Sequence, residues 1–515
     1  MVITQKIKSL TLMSVGMILT VINSFAQRPN IVLIISDDHA YQAISAYGSK
    51  LVQTPNMDRL AKEGALFSKA YVTNSICGPS RACILTGVYS HVNGFKDNEN
   101  STFDFSQNNF AKVLQAAGYQ TAWIGKMHLG DNTPQGFDYY NILPGQGDYY
   151  NPDFIQTGNV RKRYTGYVTN IIESLSEQWL DGRNPAKPFC LVIGHKATHR
   201  VWMPDISDLG LFDDKTFPLP HDFYDDYATR KAAAVQDMTI AKTMRMGHDL
   251  KIYTAADSSD IEQSVRRMNT GQKARWFAYY GKIKKEFEIK KPGGNVLTEW
   301  KYQRYMRDYL ATAASLDRNI GKTLDYIDTH GLAKNTIVIY MSDQGFYLGE
   351  HGWFDKRWMY EESFRTPMIM RYPGVIKPGS NINDFILNID LAPTLLDAAK
   401  VPVPADMQGI SFLPLLQNKK YTARNAMYYH YYENGEHSVS PHFGIKTKRY
   451  KLIRFYKRVE GWELFDLQKD PHELHNIYNE KATAPLIAGL KRQLKASIEK
   501  YKDAEALKIF ETPVD

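Results

Sequence analysis

Arg28-Pro29-Asn30-Ile31-Val32-Leu33-Ile34-Ile35-Ser36-Asp37-Asp38 is an unbroken, largely β-branched run that ends in two acids. Alternating apolar and polar residues would mark a strand with one wet face. A continuous apolar run marks one buried on both faces, as in a parallel sheet covered by helices. Asp37 and Asp38 then stand at its carboxyl end, the edge where open α/β sheets gather ligands.

Three later segments repeat this design. Thr121-Ala122-Trp123-Ile124 runs into Gly125-Lys126-Met127-His128, Phe189-Cys190-Leu191-Val192-Ile193 into a polar cluster from His195 to His199, and Thr336-Ile337-Val338-Ile339-Tyr340-Met341 into Ser342-Asp343-Gln344-Gly345. Helices are predicted between them: one from Thr54-Pro55 to near Gly64, one over 108–117, one over 302–329. The alternation predicts an α/β fold with a large mixed, mostly parallel sheet flanked by helices, spanning 27–424. Residues 205–295 are charged, rich in Tyr and Met and without clean strands, and read as an insertion lying over the ligand-gathering edge. From about 425 the segments 426–430, 444–447, 450–455 and 462–465 read as antiparallel strands, followed by a helix over 484–501. This predicts a smaller C-terminal α+β subdomain with an antiparallel sheet, 425–515.

The chain has 515 residues, enough for more than one domain, and its 43% apolar and 23% charged content is that of an ordinary globular protein. Lys6 and Lys8, an apolar stretch over 10–22 and Ser24-Phe25-Ala26 make residues 1–26 a secretory signal peptide cut after Ala26. The apolar run is short for a membrane span, and no cysteine follows it to carry a lipid. The mature chain is therefore expected to be exported, periplasmic or secreted, without a membrane anchor. Net charge is +8, and losing Lys6 and Lys8 leaves +6, a modest bias toward anionic partners. No basic arm or zinc finger suggests a nucleic-acid partner. Three cysteines, Cys77, Cys83 and Cys190, make an odd set that flags one as special and leaves open whether the other two pair.

Asp37 with Asp38, and Asp343 with Gln344, offer four oxygen donors at two strand ends. Without soft ligands such a set suits a hard cation, calcium or magnesium. Taken alone, Asp-Asp is more often a helix cap. Lys126 and His128 would share one side of an extended segment. Cys77 alone would be a small buried residue, with Pro79 starting a helix and Ser80 helping to cap it.

Cys77-Gly78-Pro79-Ser80-Arg81-Ala82-Cys83-Ile84-Leu85-Thr86-Gly87 has the form C-x-P-S-R-x-x-x-L-T-G. It resembles the signature of the formylglycine-dependent type I sulfatases, of the alkaline phosphatase-like superfamily. The resemblance extends over nearly the whole mature chain, through Asp37-Asp38, Gly125-Lys126-Met127-His128-Leu129-Gly130, Asp343-Gln344-Gly345 and the stretch from Glu463 to Glu473. It implies that Cys77 is oxidised to formylglycine (3-oxoalanine) by a maturing enzyme. Its hydrate would attack sulfur and then release sulfate from a sulfated-enzyme intermediate. It implies calcium, with magnesium second, on Asp37, Asp38, Asp343, Gln344 and residue 77. Many members carry Asn or His where this chain has Gln344, whose amide oxygen can still ligate. Arg81 would hold the nucleophile and the sulfate, Lys126 and Lys356 would contact sulfate, and His128 would serve the nucleophile as base. His199 would donate a proton to the leaving alcohol, although Thr198 stands where the family has proline. His195 is a nearby competitor, read as structural. Gly349-Glu350-His351-Gly352-Trp353-Phe354-Asp355-Lys356-Arg357 looks most like N-acetylglucosamine-6-sulfatases and related exo-acting glycosaminoglycan sulfatases. That implies a sulfated glycosaminoglycan or mucin-type sugar as substrate, with Asp355, Arg357 and His442 holding its hydroxyls.

Two other readings compete. A phosphodiesterase or phosphonate monoester hydrolase on the same scaffold would turn over phosphate esters in parallel assays. A non-catalytic sulfated-glycan binding protein would need none of the acid, base and metal groups and would keep Cys77 as a thiol.

Overall fold

Every residue of β1 (Asn30–Ser36) after its first is buried. The computed structural model describes residues 28–130, 133–253, 259 and 261–513. The signal peptide expected over 1–26 lies outside the described residues. Among them, ten strands share one sheet: β1, β2 (Ala65–Phe67), β3 (Gln120–Lys126), β4 (Tyr139–Leu143), β5 (Asp153–Gln156), β6 (Val160–Arg163), β7 (Phe189–Gly194), β8 (Thr336–Ser342), β9 (Met368–Arg371) and β10 (Ser380–Ile382). Their order is β10-β2-β9-β8-β1-β7-β3-β4-β5-β6. The five central strands, β8 to β4, are parallel, and antiparallel pairings bring in β9 on one side and β5 and β6 on the other. The sheet is thus mixed and mostly parallel at its centre.

The period of two along β1 sends its side chains into two cores. Ile31, Leu33 and Ile35 join one cluster and Val32 and Ile34 the other. The helices that matter to the cores and the site include α1 (Pro55–Glu63), α2 (Cys77–Thr86), α3 (Phe110–Ala116), α4 (Val168–Gly182), α5 (Thr270–Lys290), α6 (Gly294–Thr329), α7 (Leu391–Ala398) and α8 (Ala484–Tyr501). Residues of α2, α3 and α7 fill the first core. Met57 and Leu60 of α1, Ile172 of α4 and Leu316, Ile320 and Leu324 of α6 fill the second. A four-stranded antiparallel sheet, β11 (Ala426–Tyr431), β12 (His442–Thr447), β13 (Tyr450–Phe455) and β14 (Gly461–Asp466), packs with α8 in a third cluster.

Two expectations change. The helix expected over 302–329 begins at Gly294, directly after Pro292-Gly293, so it takes in the end of the 205–295 segment. That segment also holds α5, whose Trp276 and Tyr280 are buried. A Thr270–Lys290 helix with charged residues around most of its girth gives little periodic signal. The strands β2, β4, β5, β6, β9 and β10 were not predicted. They are short, and β6 is Val-Arg-Lys-Arg, exposed throughout. No helix among the described residues is long and apolar enough to cross a membrane.

Candidate active site

The sheet register brings the strand ends level. Ser36 lies opposite Ser342, and Gly194 opposite both Ile35 and Gly125. Asp37, Lys126, His195 and Asp343 therefore leave the sheet at one edge. Two glycines let the backbones close there. A Cβ on Gly194 would lie 2.0 Å from the Lys126 carbonyl oxygen, and one on Gly125 would lie 2.1 Å from that of Gly194. Asp38 and His128, just past the strand ends, have φ of 61° and 59°. Non-glycine residues held in the left-handed region cluster where surrounding structure dictates side-chain direction.

Asp37, Asp38 and Asp343 are buried, each with a carboxylate oxygen within 4.8 Å of the others'. Burial pushes Asp38 well above the usual carboxylate range. Lys356 opposes this, its Nζ 2.7 Å from Asp38 Oδ2, while Asp37 and Asp343 reinforce it. Burial, opposed by Arg81, pushes Asp343 up to about 7. Burial acts the same way on Asp37, but the cations Lys126, Arg81 and Lys356 hold it well below the usual range. Lys126 donates to Asp37 and to Gln146. Gln344 contacts Asp38 through its amide nitrogen. Asp37 Oδ1 and Gln344 Oε1 are buried without a hydrogen-bond partner among the described residues. Orphaned oxygens beside three crowded carboxylates are what a hard cation would satisfy, so these residues fit one.

Helix α2 is buried along its whole length and sets Cys77 and Arg81 one turn apart. Arg81 donates to Asp343 Oδ2 and to the Lys126 carbonyl at 2.8 Å each, and to the Ser36 carbonyl at 3.3 Å. It locks three strand ends to one helix. Ser80, expected to cap, instead donates its hydroxyl to the Asp343 carbonyl, and helix α2 starts two residues earlier than Pro79 suggested. Cys77 Sγ, a carboxylate oxygen of Asp37 and a ring nitrogen of His199 lie within 4.8 Å of one another. His199 Nδ1 donates to the Arg200 carbonyl at 2.6 Å, which leaves Nε2 3.9 Å from Asp38 Oδ2. Burial lowers His199 and His128 well below the usual imidazole range, so both rings are neutral. His128 Nε2 meets the Gln146 amide at 3.1 Å. Neither ring nitrogen of His195 has a hydrogen-bond partner among the described residues, and burial holds the ring near a pKa of about 3. All three cysteines are free and buried, so Cys83 and Cys190 do not pair.

On the far side of Lys356, Asp355 and Arg357 adopt φ of 83° and 92°. Arg357 donates to Tyr431 Oη at 3.2 Å and to Glu433. Glu433 in turn accepts from the Asn98 amide at 2.8 Å, and Asn98 Nδ2 lies 3.4 Å from Cys77 Sγ. His442 does not join them. Its Nε2 accepts from the Met359 amide at 3.0 Å, its Nδ1 donates to the Ser440 carbonyl at 2.8 Å, and Trp358, Tyr429, Tyr431 and Phe455 enclose the ring. No ring atom is left for a sugar hydroxyl. His437, overlooked in the sequence, sets its Nε2 2.9 Å from Asp355 Oδ2. Burial lowers its pKa, but Asp355 outweighs burial and raises it. Gln146, Asn98 and Glu433 sit in loops and His437 in a single 3-10 turn (Glu436–Ser438), none with a motif, so no local signal pointed to them.

Comparison with known proteins decides the family. The sulfatase family model matches residues 29–401, and one for the C-terminal part of N-sulphoglucosamine sulphohydrolase matches residues 349–500. The chain is a sulfatase. It is a sulfuric ester hydrolase with the alkaline phosphatase-like fold of that family. An N-acetylglucosamine-6-O-sulfatase of Bacteroides thetaiotaomicron is 48% identical to this sulfatase over 492 residues, covering 93% of this chain and 87% of the relative. An arylsulfatase of Clostridium perfringens is 28% identical, covering 93% and 97%. The solved structure of BT4656 in complex with its substrate D-glucosamine-2-N,6-O-disulfate superposes with a TM-score of 0.90 at 46% identity, covering 95% of this chain and all of that one.

Proposed function

We propose that this sulfatase removes a 6-O-sulfate from a glucosamine-type sugar of a glycosaminoglycan or mucin-type glycan, using residue 77, as formylglycine, for attack. The placement of Cys77 against Asp37 and His199, beside the three-carboxylate cluster, carries the reading. The 48% identical relative named N-acetylglucosamine-6-O-sulfatase supports the choice of sugar.

Asp37, Asp38, Asp343 and Gln344 would hold calcium, which supplies positive charge for sulfate oxygens and for an ionised nucleophile. Converted to an aldehyde and hydrated, residue 77 supplies a hydroxyl in place of a thiol. Cys77 is fully buried, so the maturing enzyme must meet this segment before it folds. Lys126, Arg81 and Lys356 balance the three carboxylates one for one. A divalent ion then leaves the site net positive, which favours a sulfate ester and the second negative charge that grows on it during cleavage. His199, held through Nδ1, directs Nε2 toward the reacting groups; in the neutral ring that nitrogen is bare, so it would first take up a proton, which the negative charge of a bound sulfate ester favours, and then pass it to the departing alkoxide. Neutral His128 is free to accept a proton from the nucleophile. Asp355, held by His437, and Arg357, held by Glu433, would take sugar hydroxyls. The segment 1–26 would export the chain to the periplasm or beyond.

Sulfate release from a panel of defined sulfated mono- and disaccharides, with protein matured in its native host, tests this. Glucosamine 6-sulfates should be the preferred substrates, and Cys77→Ala should lose turnover while still binding sugar. His199→Ala should slow alkyl sulfates far more than activated aryl sulfates. Turnover retained by Cys77→Ala, or a thiol found at residue 77 of fully active protein by peptide mass spectrometry, would overturn the nucleophile. Preference for another sulfate position would overturn the substrate.

A further inference from the structure

His221 and Asp222, in the 205–295 segment, face His472, in the loop after β14, on a part of the molecule the reaction does not use. One ligand atom of each lies within 4.8 Å of the other two. The rings of His221 and His472 stand with centroids 4.1 Å apart, tilted by 57°. Asp222 is only 4% exposed, yet neither of its carboxylate oxygens has a hydrogen-bond partner among the described residues. His221 Nδ1 lies 3.7 Å from Asp222 Oδ1, and His351 Nδ1 lies 3.9 Å from Oδ2, both beyond hydrogen-bond length. Arg230, in the same segment, donates to both oxygens of Asp225. A buried carboxylate without a partner is costly, and native proteins rarely leave one so.

We propose that His221, Asp222 and His472 form a second metal site, of the zinc class, that staples the 205–295 segment to the C-terminal subdomain. Two imidazoles and a carboxylate suit a borderline first-row cation, not the hard ion that an all-oxygen set selects. Such an ion sits about 2.0–2.2 Å from each donor. The ring of His221 is more than half exposed and can turn inward to meet that spacing. Next to the cluster, the Asn476 amide donates to Thr229 Oγ1 at 2.9 Å, so the two segments already meet there. The same segment reaches the active-site rim, where the Phe354 amide donates to the Met238 carbonyl at 3.1 Å and the Asp237 amide to that of His437 at 2.9 Å. The site is independent of the sulfatase reaction.

Calorimetric titration of the full-length enzyme with Zn2+, in excess calcium to keep the carboxylate cluster filled, tests the site. One saturable equivalent should bind and raise Tm by several degrees, and Co2+ in its place should show visible ligand-field bands. His221→Ala and His472→Ala should each weaken Zn2+ by at least the roughly tenfold that loss of a mere outer-shell partner already costs, and abolish the Tm gain. Asp222→Asn keeps the shape and should weaken it likewise. Their Tm without zinc should match that of the wild type without zinc, which shows that they fold. The absence of saturable zinc binding by the wild type, or equal binding by both histidine variants, would overturn the proposal.

Discussion

At the scale of single residues, Arg81 joins the site to the fold. It is wholly buried, and its guanidinium spans Asp343 and the carbonyls of Ser36 and Lys126. Removing one partner of a buried ion pair leaves the other uncompensated. Arg81→Ala should therefore cost about 3–5 kcal/mol in denaturant unfolding, along with the activity. Arg81→Lys should recover part of the stability, because it restores the charge without the planar fork. A variant as stable as wild type would show that Asp343 is neutralised by other means. The C-x-P-S-R-x-x-x-L-T-G motif around Cys77 made Arg81 readable in the sequence. Asn98 and Glu433, which link Cys77 to Arg357, were not readable, because a loop residue's partner depends on where the loop lands.

At the scale of elements, the close passage of β3 past β7 and the packing of α4 on α6 carry separate expectations. Gly194→Ala would place a methyl 2.0 Å from a backbone oxygen. It should lower Tm and activity together, whereas Gly182→Ala, with open space around it, should be neutral. Equal effects of the two would remove the close-approach argument. Glu173 on α4 is buried, accepts from Thr323 Oγ1 at 2.8 Å, and is pushed up to about 8 chiefly by burial. Its folded-state pKa lies above its unfolded value near 4.5. Its stabilising contribution is thus fully present below about pH 4.5, and is lost as pH rises toward 8, since only the unfolded chain ionises in that window. Glu173→Gln should gain on the wild type with rising pH, on the order of 3 kcal/mol at pH 7. Parallel unfolding curves at pH 5 and pH 8 measure it. A constant gap would show Glu173 ionised in the native state. The α/β alternation was readable because each buried strand is a local apolar run. Helix α5 was not, since its Trp276 and Tyr280 find a core only through tertiary packing.

At the scale of the molecule, one sheet edge collects acids from segments about 300 residues apart, and their mutual repulsion opposes folding unless a cation joins them. Calcium removal with EGTA should lower Tm by several degrees and abolish sulfate release. Calcium should restore both, and magnesium less, because it tolerates fewer protein ligands and departs less readily from octahedral geometry. Scanning fluorimetry with each ion checks this. An unchanged Tm after chelation would mean that Lys126, Arg81 and Lys356 alone neutralise the cluster.

The amino-acid order by itself determined the buried strands, the acids at their ends and the Cys77–Arg81 turn. Each of these is a local pattern whose physics acts within a few residues. Only the tertiary structure decided that His437 and not His442 reaches Asp355, that Ser80 ties helix to strand, and that Cys83 and Cys190 stay apart. It alone set His221 against His472. These outcomes depend on which distant segments face one another once the cores close, and hydrophobic burial, being without direction, encodes that in no single stretch of chain.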